Sequence, residues 1–326
     1  MIFALKNIRT KQKVRDALKR WQNRFVGFLW PRESDEWLTV LRIGVGLQVI
    51  GYCLSLRRDW LYLFSETQSG ALHSRTLSEG LLSLDSPLVP RIGWLISLGA
   101  HLGVKEETIL FGIWTLLLAA GLGLLAGRFC RPSAIVAWFL HLCAVKSSDL
   151  LSYGVDNFMT IGLFYLMISP LPDPYALDAR RRSLPPDRSQ LSGFLRRVLQ
   201  IHLCLIYFFS GLTKCLGSGW WNGENLWRVC IRPPFNSISP DLLIHGKALF
   251  PIGGIVICLL EIGFPFFIWS RKVGRIWLVD ICLMHLMIGF AMGMYLFGLV
   301  MITLNLAAFG PPPASEQTAH PIPATG

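Results

Sequence analysis

The chain has 326 residues, enough for two soluble domains, but 52% of them are hydrophobic and only 16% charged, against about 25% charged in an ordinary soluble domain. Several apolar runs are long enough for a helix to cross about 30 Å of hydrocarbon, which excludes most soluble enzyme folds and predicts an all-α, polytopic membrane bundle. The net charge of +11 is therefore a question of topology first, and no nucleic-acid partner is expected.

Residues 1–35 read as a basic amphipathic segment. Lys6, Arg9, Lys11, Lys13, Arg15, Lys19, Arg20 and Arg24 stand against the single acid Asp16, and Val14, Leu18, Trp21, Phe25 and Phe28 recur at helical spacing. Such a helix lies on an anionic membrane surface or serves as a basic flank that sets orientation. No signal-peptide pattern follows it. Residues 36–310 then hold eight predicted spans: Trp37–Leu56, Ile109–Gly127, Ser133–Ser148, Gly154–Leu171, Val198–Leu216, Phe250–Trp269, Ile276–Phe290 and Met294–Phe309. The last two form one apolar block too long for a single crossing, so a fold-back is expected at Gly289–Gly293. Residues 57–108 make a long first loop whose apolar piece, Trp94–Leu102, reads as interfacial or re-entrant. Residues 311–326 are Pro-rich and read as a disordered tail.

Charge gives the orientation. With the N-terminus inside, 20 of the 31 Lys and Arg residues fall on inner segments and 8 on outer ones; Arg42, Lys146 and Lys214 lie in or at the edge of spans. This split follows the positive-inside rule and predicts both termini cytoplasmic, in a cell membrane. The eight cysteines contain no CxxC pair. Five sit in spans, where cysteine usually acts as a small hydrophobe; Cys215 and Cys230 share the outer side, where a disulfide or two free thiols are both open. No metal site is expected.

Ionisable groups inside a bilayer are costly unless paired or hydrated, which makes them candidates for function. Arg42 can snorkel to the cytoplasmic edge or pair. Lys146, Asp149 and Asp156 flank the outer turn between the third and fourth spans. Glu261, near the middle of the sixth span, needs a partner, with Arg42 or Asn305 as candidates, or a proton. Lys214 ends the fifth span in the string Tyr207-Phe-Phe-Ser-Gly-Leu-Thr-Lys214. Tyr207, Ser210, Gly211 and Lys214 share a helix face, Gly211 admits a close backbone or a flat ligand, and Trp220 and Trp221 follow at interface depth. A lysine there is either an anchor above an aromatic belt or part of a site. His285 falls on the same side of the membrane, as either a packing histidine or a member of a shared cavity with Lys214.

The Tyr207–Trp221 string, read with Met284-His-Leu-Met-Ile-Gly-Phe-Ala-Met-Gly-Met-Tyr-Leu-Phe-Gly298, resembles the horizontally transferred transmembrane (HTTM) superfamily, to which the vitamin K-dependent γ-carboxylases belong. Leu41-Arg-Ile-Gly-Val-Gly-Leu47, Gly154-Val-Asp-Asn157 and Trp220-Trp-Asn-Gly-Glu-Asn-Leu-Trp227 are similar to further family elements in the same order, and the resemblance covers about residues 35–310. It implies that Lys214 matches the second lysine of a Tyr-Phe-x-x-Gly-x-Lys-Lys string, the catalytic base that deprotonates a vitamin K-type hydroquinone. Tyr207, Gly211, Trp220, Trp221 and Asp156 would then bind quinone or substrate, with His285 sharing the proton. The first lysine of that pair is Thr213 here, the spacing to the next tryptophan differs, and the carboxylases' large lumenal portion has no counterpart after residue 310. The chain looks more like short bacterial members that accompany secreted peptide toxins, such as sporulation-delaying toxin maturation proteins.

Two functional readings follow. One is a membrane enzyme with an extracytoplasmic site at Lys214 and His285, which modifies a secreted peptide of the toxin or bacteriocin type with a reduced quinone as cofactor. The other is a non-catalytic scaffold or escort for a secreted or co-encoded partner. A transporter is disfavoured, because no inverted repeat or broken-helix pair is evident.

Overall fold

In a computed structural model, residues 2–66, 74–181, 190–233 and 237–311 are described. Their regular elements are helices: α1 (Ile2–Leu29), α2 (Glu36–Ser55), α3 (Trp60–Phe64), α4 (Ser74–Asp85), α5 (Ile92–His101), α6 (Glu106–Ala126), α7 (Cys130–Ser147), α8 (Gly154–Ile168), α9 (Gln190–Leu216), α10 (Ser218–Trp221), α11 (Glu224–Ile231), α12 (Pro240–His245), α13 (Leu249–Phe267), α14 (Val273–Met292) and α15 (Tyr295–Phe309). A helix forms at each of the eight apolar runs. Five of them, α2, α6, α9, α13 and α14, are long and apolar enough to cross a membrane. The helices α8 and α15, at 15 residues each, rise only about 22 Å, and α7 carries Arg131, His141 and Lys146 in its 18 residues. The Pro-rich tail from residue 312 onward and Arg182 of the basic loop lie outside the described residues.

Two groups of helices pack around a central one. The first comprises α2, α6, α7 and α8, the second α9, α13 and α14, and α15 touches α2, α8, α9 and α14. Since lipid tails are as apolar as leucine, such helices gain little from hydrophobic burial alone and associate through close packing and buried polar contacts. Both devices are present. Leu38, Leu41, Val45, Leu117, Leu163 and Leu304 are almost completely enclosed. The expected fold-back is made by Gly293, whose φ of +69° is a left-handed conformation that side chains resist; it ends α14 and lets α15 return two residues later.

The first loop folds into short helices over one end of the bundle. Trp94–Leu102, expected as interfacial or re-entrant, is mostly the short helix α5, with Trp94, Leu98 and Leu102 exposed. Arg75 ties this cover down by ion pairs to Glu66, Glu79 and Glu106. At the other end α1 leaves Leu18, Trp21, Phe25 and Phe28 exposed on one stripe. Its last turn is held by Arg197, which donates to Phe28 O at 2.9 Å and lies over the Phe28 and Trp269 rings.

One expectation is corrected here. Arg42 neither snorkels nor reaches Glu261. It is 2% exposed and bonds the fully buried Asp173 through Nε at 2.5 Å, while Nη1 donates to Leu124 O and Leu125 O. Thr39 Oγ1 donates to the same carboxylate. A carboxylate in the connection after α8 thus closes the charge of α2, because that connection folds back under the bundle end.

Candidate functional site

Helical periodicity places Tyr207, Ser210, Gly211 and Lys214 on one face of α9, and that face meets α13. Gly211 sets the approach: a Cβ there would fall 2.5 Å from Ile262 N and 3.0 Å from Glu261 Cβ, so only hydrogen lets the two backbones come this near. The space beside Gly211 is therefore taken by α13 rather than by a ligand. The close approach brings Lys214 Nζ to 2.6 Å from Glu261 Oε2 and lets it donate to Ser210 Oγ, also at 2.6 Å. The Trp220 ring covers the ammonium, with its centroid 5.4 Å away. Glu261 is thus paired with Lys214, and neither Arg42 nor Asn305 is its partner.

Seven residues earlier on α9, about 10 Å along the axis, Tyr207 is 2% exposed. Its hydroxyl lies 2.8 Å from His285 Nε2 and accepts from Asn305 Nδ2 at 2.6 Å. The hydroxyl keeps a second lone pair as well as its own hydrogen, so its contact with Nε2 accommodates either imidazole tautomer. His285 Nδ1 is buried and has no hydrogen-bond partner among the described residues, and the same holds for Asn305 Oδ1. A buried polar atom left this way costs about 1–3 kcal/mol, so the network is built for a further partner or a water molecule.

Both clusters open on one cavity of about 280 Å³, lined by Tyr207, Ser210, Lys214, Trp220, Glu261 and His285, with aromatic and aliphatic side chains filling the remaining wall. Leu226, Ile257, Ile288 and Met292 are shared with a larger apolar groove of about 730 Å³ between α13 and α14. The cavity and the apolar groove therefore share part of a wall. Among the described residues no three His, Cys, Asp or Glu side chains gather as a metal site.

The other expected site residues fall elsewhere. Asp156 caps α8, its Oδ2 accepting from Tyr153 N at 3.0 Å, and it does not line the cavity. Trp221 points away, with Nε1 donating to Cys215 O at 2.7 Å. Sequence reasoning identified Lys214 and Glu261 separately but did not pair them, because it set them at different depths from the span ends. The stagger explains this: Trp220 O of α10 lies against Gly254 in the second turn of α13, so Lys214, one short helix earlier, falls beside Glu261 in the fourth turn. Two opposite charges facing each other in neighbouring spans was the signal that could have joined them. Ser210 and Asn305 complete the set.

The chain matches no known family model, no curated protein and no solved structure.

Proposed function

We propose that this chain is an eight-span membrane protein of the HTTM type, with both termini cytoplasmic and the Lys214–Glu261 cavity on the extracytoplasmic side, and that it acts in the maturation of a secreted peptide of the toxin or bacteriocin class. The single observation that carries an active-site reading is the convergence of Lys214, Glu261, Tyr207 and His285 on one cavity within an apolar bundle. Intramembrane ionisable groups that share a cavity mark a site more often than they mark packing. The peptide assignment rests on the resemblance of the Tyr207–Trp227 and Met284–Gly298 strings.

A reduced quinone fits the cavity on three counts. The wall is apolar enough for a flat ring. His285 lines it and holds a buried Nδ1 with no hydrogen-bond partner among the described residues. The adjoining apolar groove, at about 730 Å³, has room for an isoprenoid tail. When bound, such a group supplies an acidic hydroxyl and two reducing equivalents. The chain's own residues then do the rest. Trp220 and the apolar wall exclude water. His285, held by the Tyr207 hydroxyl that Asn305 also bonds, hydrogen-bonds an oxygen through its free Nδ1. Lys214, held at 2.6 Å by Glu261 and Ser210 on the cavity wall, is the residue placed to act as general base.

The ion pair itself favours a second reading. Lys214 held by Glu261 and Ser210 is also a clamp between α9 and α13, which suits a non-catalytic membrane partner that escorts the peptide. Lys214→Arg separates the two. Arginine keeps the charge and can hold Glu261 but cannot serve as a base. The assay expresses the unaltered chain and each variant in the native host and follows the masses of its secreted peptides, with the protein's abundance and folding checked in the same cells. Loss of the modification in folded Lys214→Arg supports chemistry, and unchanged peptide maturation refutes it.

A further inference from the structure

The α9–α13 contact holds a second pair of side chains besides Lys214 and Glu261. Cys215 follows the lysine, and Cys258 lies one turn before the glutamate on α13. The two thiols face each other as interaction partners, with Lys214 and Glu261 as their charged neighbours. The register that brings them together is fixed independently by Gly211 against Ile262 and Glu261 and by the ion pair. One turn from the Gly211 contact, about 5.4 Å along each axis, the antiparallel backbones have little room to diverge. Both cysteines are free, Cys215 half-buried and Cys258 fully enclosed. Cys230, the partner that sequence proximity suggested for Cys215, instead lines the apolar groove from α11.

We propose that Cys215 and Cys258 are a redox-active dithiol that closes to a disulfide across α9 and α13. The asymmetry of exposure orders the chemistry. The Cys215 thiolate, the reachable one, attacks a low-molecular-weight disulfide and expels one thiolate, giving a mixed disulfide on Cys215. The Cys258 thiolate then attacks the Cys215 sulfur, forms the internal S–S bond and expels the second thiol. Two protein thiols are oxidised, the external disulfide is reduced to two thiols, and the two cysteine protons leave with them. The bond would pin α9 to α13 in the register that holds Lys214 on Glu261 at the mouth of the cavity. It uses neither the quinone nor the peptide, so it stands or falls separately from the proposed function.

The test uses the full chain, purified in detergent and exposed to oxidised glutathione. Free thiols are then counted by maleimide–polyethylene glycol gel shift in denaturant, and the disulfide peptides are identified by mass spectrometry without reduction. The expected result is two fewer reactive thiols than the eight of the reduced protein, with a cystine peptide joining Cys215 to Cys258. Cys258→Ser should trap glutathione on Cys215, because the resolving thiol is gone, and Cys215→Ser should abolish the reaction. Retention of all eight thiols overturns the proposal, as does a cystine linking Cys215 to Cys230. If the serine variants fail to accumulate, the cystine peptide of the unaltered chain decides the matter alone.

Discussion

Replacing Glu261 with leucine removes the carboxylate that holds Lys214 Nζ at 2.6 Å and leaves an ammonium with Ser210 Oγ and the Trp220 face as its remaining neighbours. Lys214 is 20% and Glu261 8% exposed, so the pair is mostly but not wholly withdrawn from solvent. Breaking a buried pair from one side costs about 3–5 kcal/mol. The residual access of the lysine and its bond to Ser210 bring the expectation down to about 2–3 kcal/mol. Lys214→Leu strands Glu261, the more enclosed partner, and should cost about 3–4 kcal/mol. The double variant leaves no charge to strand and inserts two apolar side chains, so it should be more stable than either single one, with a coupling energy of about 2 kcal/mol or more. Unfolding in mixed micelles of increasing sodium dodecyl sulfate, followed by tryptophan fluorescence, measures all four corners of the cycle. Additivity within about 0.5 kcal/mol would show that the two groups do not interact, and the site built on their pairing would fall with it.

Lys214→Arg should retain most of that stability and lose peptide modification, read as the mass of the secreted peptide. Tyr207→Phe leaves both ring nitrogens of His285 without a protein partner and should cost about 1–3 kcal/mol in the same unfolding assay, with a loss of quinone affinity measured by equilibrium binding of a labelled quinone analogue. Arg42→Met strands the fully buried Asp173 and should cost about 3–5 kcal/mol, whereas Arg42→Met with Asp173→Leu should recover much of it. Single cysteines placed at Arg180 and Trp221 in a background without reactive native cysteines should label from outside intact cells at Trp221 only; labelling at Arg180 would invert the topology.

How much of this protein is legible in its sequence differs by level. Helix positions are legible because burial in hydrocarbon demands contiguous apolar residues and internally satisfied backbones, and α2, α6, α13 and α14 fall close to the apolar runs that predict them. The turn at Gly293 is legible too, because two short helices must replace one overlong run and glycine permits the reversal. The face of α9 that carries Tyr207, Ser210, Gly211 and Lys214 follows from 3.6 residues per turn alone.

The pairings do not follow in that way. Glu261 was expected to meet Arg42 or Asn305, yet Arg42 is taken by Asp173, Asn305 by the Tyr207 hydroxyl, and Glu261 by Lys214. Each choice depends on axial stagger and rotation between helices, which only contacts such as Gly211 against Ile262 and Gly254 against Trp220 O establish. Likewise Cys215 lies nearer Cys230 in the chain but faces Cys258 in the fold. Periodicity fixes which side chains share one helix face, because it is a local property of the backbone. Which faces meet, and at what depth, is decided by steric fit between helices distant in sequence, so the cavity that joins Lys214, Glu261, Tyr207 and His285 exists only in the tertiary structure.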